Sequence, residues 1–213
     1  MRKEIVIMIA VFIVIFGGLG FLIVRNNKIA SAPVAKDQLI KANSHSTVSP
    51  NAKVNLVEFG DYQCPACGAA YPIVEQLLAL YKDNPQVNFV FRNFPLPQHQ
   101  YALVAAEAAE AAGAQGNYWG MYNLLYTNQD IWVNSADPMS IFVGYAAQLK
   151  LDVNRFRAEV SAGKYSDVIA GDQQDGTSLG VNSTPTFYVN GLQEVGIQNF
   201  TDFKARVDAA LAQ

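Results

Sequence analysis

Cys64-Pro65-Ala66-Cys67 holds the only two cysteines of this 213-residue chain. Neither thiol has another cysteine to pair with, which excludes a structural disulfide framework and a four-thiolate zinc site. Two thiols at this spacing can cycle between dithiol and disulfide, or supply half of a metal site. A buried, inert pair is the third reading. The neighbouring residues favour redox cycling. Val54–Phe59 is rich in β-branched and aromatic residues and reads as a short buried strand. Gly60-Asp61-Tyr62-Gln63 reads as a turn. From Gly68 to Tyr81, apolar residues fall at Ile73, Leu77, Leu78 and Tyr81, a helical spacing. The pair therefore sits where a strand ends and a helix starts. The first turn of a helix presents unpaired N–H groups and the positive end of the macrodipole, and both favour a thiolate over a thiol. The thiolate is the species that attacks a disulfide. Cys64, at the helix start, is expected to be exposed and acidic. Cys67, one turn further in, is expected to be buried and to act as the resolving thiol. Pro65 suits the first turn, where no N–H partner is needed, and Pro72 is expected to kink the helix.

Glu58 lies in the strand just before the turn. An ionisable group in a buried strand is costly unless it is paired or used. Either it reaches water at a strand edge, or it is a buried acid beneath the cysteines that exchanges protons with Cys67. His99 reads as a helix-start or surface residue and His45 as solvated. Tyr118, Trp119, Tyr122 and Trp132 read as packing residues. Gly60–Tyr71 contains no His or Met that could complete a metal site with the thiols. No metal or organic cofactor is expected.

The chain resembles the DsbA-like branch of the thioredoxin superfamily. Glu58-Phe59-Gly60-Asp61-Tyr62-Gln63 before the cysteines is similar to that branch. So is Phe91-Arg92-Asn93-Phe94-Pro95-Leu96-Pro97, which resembles the segment after its second strand. Ala105 to Ala114, with Gln115 to Trp119, resembles its helical insertion. Leu179 to Gly191, with Thr184-Pro185-Thr186-Phe187 inside it, resembles its cis-proline strand. The resemblance covers about residues 50–213. It implies a buried acid at Glu58 and a cis Pro185 lying against the cysteine pair. It also implies that Thr184 offers its backbone to a substrate strand, a mode of capture that depends little on side chains. Pro65 and Ala66 modulate the site in this comparison. Ala66 departs from the strongly oxidising members, which carry His there. Alanine brings neither charge nor a side-chain donor, so a very low Cys64 pKa is not carried over.

The rest of the chain completes the expectation. Ile5–Val24 is an uncharged, mostly apolar run of 20 residues. As a helix it would span roughly 30 Å, the thickness of a bilayer core. A cleavable signal peptide ending at Ala30-Ser31-Ala32 is the competing reading. Arg2 and Lys3 on one side and Arg25 and Lys28 on the other nearly balance the positive-inside rule. Residues 1–29 are thus read as a membrane anchor and 30–53 as a flexible tether. Residues 54–213 are read as one domain of α/β class, a thioredoxin fold with a helical insertion at about 99–180. Strands are expected at 54–59, 87–93, 186–189 and 192–195, with a hairpin turn at Asn190-Gly191. A last helix is expected to be capped by Asn199 or Thr201. Beyond Ala32 acidic residues outnumber basic ones, which argues against a nucleic-acid partner.

The expected function is an extracytoplasmic, single-pass membrane thiol–disulfide oxidoreductase acting on reduced or misoxidised proteins. The resemblance implies a DsbB- or VKOR-like membrane redox partner. An isomerase or reductase using the same pair is the alternative, followed by a non-enzymatic thiol or metal-binding adaptor.

Overall fold

Two seven-residue strands, Val54–Gly60 (β2) and Val87–Asn93 (β3), lie parallel at the centre of a five-stranded sheet. The computed structural model describes residues 32–48, 51–197 and 199–213. Every residue of β2 and β3 is buried, as expected of strands covered on both faces. Parallel neighbours need a crossover, and the helix Pro65–Tyr81 (α2) supplies it. Thr186–Val189 (β4) pairs antiparallel with β2, and Leu192–Val195 (β5) pairs antiparallel with β4. Asn190 and Gly191 turn the hairpin with φ of 46° and 86°, the left-handed pair that a tight two-residue turn requires. The sheet order is β1-β3-β2-β4-β5, with the two-residue His45–Ser46 (β1) at one edge.

Side chains alternate across β2. Val54 and Leu56 pack into the larger core with α2, while Val57 and Phe59 face a smaller cluster with Val90, Phe94 and Tyr188. By the same alternation Glu58 points to the side of α2. Between β3 and β4 lie six helices: Ala102–Gly113 (α3), Tyr118–Thr127 (α4), Gln129–Val133 (α5), Pro138–Gln148 (α6), Val153–Ser161 (α7) and Ser166–Ser178 (α8). They match the expected insertion. Seven buried alanines in α3 let its neighbours approach closely. Tyr118, Tyr122 and Trp132 are buried in the core, and Trp119 packs against it. Asp137 caps α6 through the Ser140 N–H, and Asp152 caps α7 through the Arg155 N–H. The closing helix Phe200–Ala212 (α9) is capped by Asn199, which accepts from the Asp202 N–H at 2.9 Å.

The tether expected over residues 30–53 is corrected by the structure. Val34 donates to the Gly191 carbonyl at 2.9 Å. Lys36–Leu39 (α1) forms one helical turn that buries Leu39 in the smaller cluster, a contribution of roughly 1.5–3 kcal/mol. His45 is not simply solvated. It stacks on Tyr118 at 3.6 Å and meets Glu110 Oε2 through Nε2 at 2.8 Å. Buried Arg92 ties this segment to the insertion. It donates to the Leu39 carbonyl at 2.8 Å and to Asp172 and Asp175 at 2.6 Å each. The polar sequence here is a strap, with its few apolar and aromatic contacts all to distant parts of the chain. The anchor expected at Ile5–Val24 lies outside the described residues. Among the described residues no helix is long and apolar enough to cross a membrane.

Candidate active site

Cys64 is the N-cap of α2, and Pro65 occupies its first position. The expected junction of strand end and helix start is therefore present, and both cysteines are free thiols. Cys64 differs from expectation in its exposure, which is only 7%. The reason is the Thr184–Pro185 segment, whose peptide bond is cis and whose Thr184 carbonyl lies 3.4 Å from Cys64 Sγ. Cys67 is 1% exposed, and its sulfur accepts from the Asp61 N–H at 3.5 Å.

The two thiols are driven apart in acidity. Cys64 is drawn down to about 5, first by a hydrogen bond from the Cys67 thiol, against an opposing effect of burial. Thr184 and the backbone N–H groups of Cys67 and Ala66 lower it further. The neutral Cys64 thiol donates to the Thr184 carbonyl. The buried Thr184 hydroxyl has no hydrogen-bond partner among the described residues. Ala66 itself is exposed and contributes only its N–H. The lowering therefore needs no side-chain donor at position 66, since it comes first from the Cys67 thiol. Cys67 moves the other way: burial raises it well above an ordinary thiol, and the bond to Cys64 and the nearby Glu58 charge add to this.

Glu58 is 2% exposed, and its Oε2 has no partner among the described residues. The strand-edge alternative is thereby excluded. Burial, and then the neighbouring Cys64 charge, raises Glu58 to about 8. A carboxyl at that value is mostly protonated at neutral pH and can give a proton to a buried sulfur. Cys64, Cys67, Glu58, Thr184 and Pro185 are all brought together, with Pro65 and Ala66 on the exposed rim. Among the described residues no cluster of His, Cys, Asp and Glu could hold a metal ion.

Sequence reasoning missed the Asp61 hub. Asp61 is buried and accepts from the Gln63 N–H at 2.7 Å and the Leu96 N–H at 2.9 Å. His99 Nδ1 meets its Oδ2 at 2.7 Å, so His99, expected only at a helix start or on the surface, also braces the turn. The Asp61 carbonyl also accepts from the Cys64 N–H at 3.0 Å. One residue therefore touches both cysteines and the chain after β3. An acid next to the cysteines, inside a buried run, was the available signal.

A family model described as thioredoxin matches residues 42–209. By fold the chain is similar to alpha-DsbA1 from Wolbachia pipientis, with a TM-score of 0.74 and 20% identity over 84% of this chain and 96% of that one. It is likewise similar to oxidised BdbD from Bacillus subtilis, with a TM-score of 0.72 and 21% identity over 88% and 100%. A Na(+)/H(+) antiporter NhaA 1 from Salinispora arenicola is 42% identical over 162 residues, which is 76% of this chain and 24% of that protein. The chain spans about a quarter of the length of such curated relatives.

The buried carboxyl makes a pH-dependent prediction. Unfolded Glu58 ionises near 4.5 and folded Glu58 near 8, so the folded state holds the extra proton between those values. Its stability is fully present below about 4.5 and falls as pH rises toward 8, by on the order of 5 kcal/mol. Glu58→Gln is compared with the parent, both reduced, and because Glu58 and Cys64 repel one another the difference reads the acid together with its effect on Cys64. Urea titrations should find the variant more stable by several kcal/mol at pH 8, with the difference gone at pH 4.5. Parallel pH curves for the two proteins would contradict a buried, unpaired carboxyl.

Fold and family match agree: the chain belongs to the thioredoxin family, and its fold is similar to that of DsbA-like proteins.

Proposed function

We propose that this protein is a thiol–disulfide oxidoreductase that forms disulfides in reduced extracytoplasmic proteins. The observation that carries the reading is the placement of the two thiols, with Cys64 at the helix start against the Thr184 carbonyl and Cys67 buried one turn inside it. In the oxidised enzyme a substrate thiolate attacks Cys64 Sγ and the Cys64–Cys67 bond breaks. Cys67 leaves as a thiolate in a buried site that disfavours it. Glu58, protonated at neutral pH, supplies the proton. A second substrate thiolate then attacks the substrate sulfur of the mixed disulfide and expels Cys64. A low-pKa thiolate is the better leaving group, so this step runs toward substrate disulfide and reduced enzyme. Two electrons and two thiol protons pass from the substrate in total. Thr184, beside cis Pro185, presents backbone to an extended substrate segment. A DsbB- or VKOR-like membrane partner would take the two electrons and restore the disulfide.

Stabilising the Cys64 thiolate stabilises the dithiol enzyme, which makes the disulfide oxidising. The test is equilibration of the Cys64–Cys67 couple with glutathione. Thioredoxin lies near −270 mV with a thiolate pKa of about 7. With Cys64 near 5, this couple is expected at roughly −200 mV or higher. A value at or below about −270 mV would make the protein a reductase.

The reading includes a single-pass anchor at Ile5–Val24 with the catalytic domain outside the cytoplasm. The uncharged length of that run supports it, as do relatives in which a similar segment shares a chain with an ion antiporter. After an alkaline wash the full chain should sediment with membranes. Protease added to spheroplasts should release a soluble fragment containing residues 33–213 that still exchanges disulfides. A soluble full-length product, or a domain protected from protease, would refute the anchor or its orientation respectively.

A further inference from the structure

We propose that Gln129 is a positioning residue for the reacting thiol: it reaches from the helical insertion onto the Tyr62–Cys64 turn, and Gly68 is the notch that admits it. Gln129 opens α5. Its Nε2 donates to the Tyr62 carbonyl at 2.7 Å and to the Cys64 carbonyl at 3.0 Å. The Cys64 carbonyl already accepts the first helical bond of α2, from the Gly68 N–H at 3.0 Å. Two donors therefore converge on one oxygen from different elements.

That oxygen has particular leverage. The next residue is Pro65, so the Cys64–Pro65 peptide has no N–H, and its carbonyl is the single polar handle by which neighbours can hold it. The orientation of this peptide sets where Cys64 Sγ points. In the observed orientation the sulfur lies 3.4 Å from the Thr184 carbonyl, and the N–H groups of Ala66 and Cys67 support its charge. The other end of the clamp is equally firm. The Tyr62 ring is buried, and its hydroxyl lies 3.0 Å from that of Tyr118. The turn is thus pinned at a ring, at two carbonyls and by Asp61, and Gln129 is the contact that comes from α5.

Gly68 explains how the amide gets in. A Cβ built on Gly68 would lie 2.9 Å from Gln129 Cδ and 3.1 Å from Nε2, and closer still to Oε1. Side chains do not tolerate such contacts, so any larger residue there would displace the amide. Gly68 is not in a left-handed conformation, so alanine suits its backbone and adds helix propensity. The residue's smallness serves the clamp and not the helix.

The inference rests on Cys64 being the attacking thiol, and the experiment separates the two claims. Thiolate absorbance of the reduced protein is titrated in the parent, Gln129→Met, Gly68→Ala and the double variant, with unfolding by urea followed in parallel. Met keeps the stem and removes the donor. Each single variant should raise the Cys64 pKa by on the order of one unit, the effect of one hydrogen bond on the thiolate. The couple should become correspondingly less oxidising. The double variant should match either single one, because both break the same contact. An unchanged Cys64 pKa in Gln129→Met, whatever its stability, overturns the proposal. Additive shifts in the double variant overturn the role of Gly68 as the notch. If Gly68→Ala fails to fold, Gln129→Met alone decides. A parent whose Cys64 titrates like a free thiol would overturn the assignment of the attacking thiol as well.

Discussion

A thiolate at the mouth of α2 and a protonated thiol one turn inside it are the constraint on which this molecule is organised. The separation comes from position more than from charged neighbours. Cys64 is the N-cap and receives the Cys67 thiol and two backbone N–H groups. Cys67 faces the core, with Glu58 beneath and one long hydrogen bond from Asp61. Each element around the pair maintains that difference. β2 delivers Glu58 and the turn, β4 delivers Thr184 and Pro185, and the insertion covers the far side of the helix start.

The polar groups that hold the turn are buried, and buried polar groups are costly unless satisfied. Asp61 meets this demand completely, with both oxygens engaged. Glu58 does not, since Oε2 is left without a partner among the described residues. Two acids three residues apart therefore have opposite characters. Asp61 is structural, while Glu58 is kept in a state from which a proton can be given. The Arg92 network with Asp172 and Asp175 is a third solution, in which charge is buried by direct pairing. Breaking such a pair from one side typically costs about 3–5 kcal/mol, which makes this network the fastening between strap, sheet and insertion.

Much of this was legible in the residue order, because it is local. Runs rich in β-branched and aromatic residues marked the strands at 54–59 and 87–93. Asn190-Gly191 marked the hairpin, and the pair of cap candidates Asn199 and Thr201 marked the last helix. The strap was illegible for the opposite reason. Leu39 and His45 have no periodic neighbours, and His45 finds Glu110 65 residues away. The exposure of Cys64 was misjudged because its cover arrives from Thr184, 120 residues along. Asp61 and His99 are 38 residues apart, and Gln129 lies 65 from Cys64. No short-range pattern joins them, so only the folded chain reveals the hub and the clamp.

Every step of this chemistry depends on which thiol is ionised at neutral pH. The direct measurement is the pH dependence of alkylation at each cysteine of the reduced native protein, read by mass spectrometry of the modified peptides. Cys64 should be half-maximally reactive near pH 5, with Cys67 unreactive across the neutral range. Half-maximal reactivity of Cys64 near the value of a free cysteine, about 8.5, or faster modification of Cys67, would contradict an ionised Cys64.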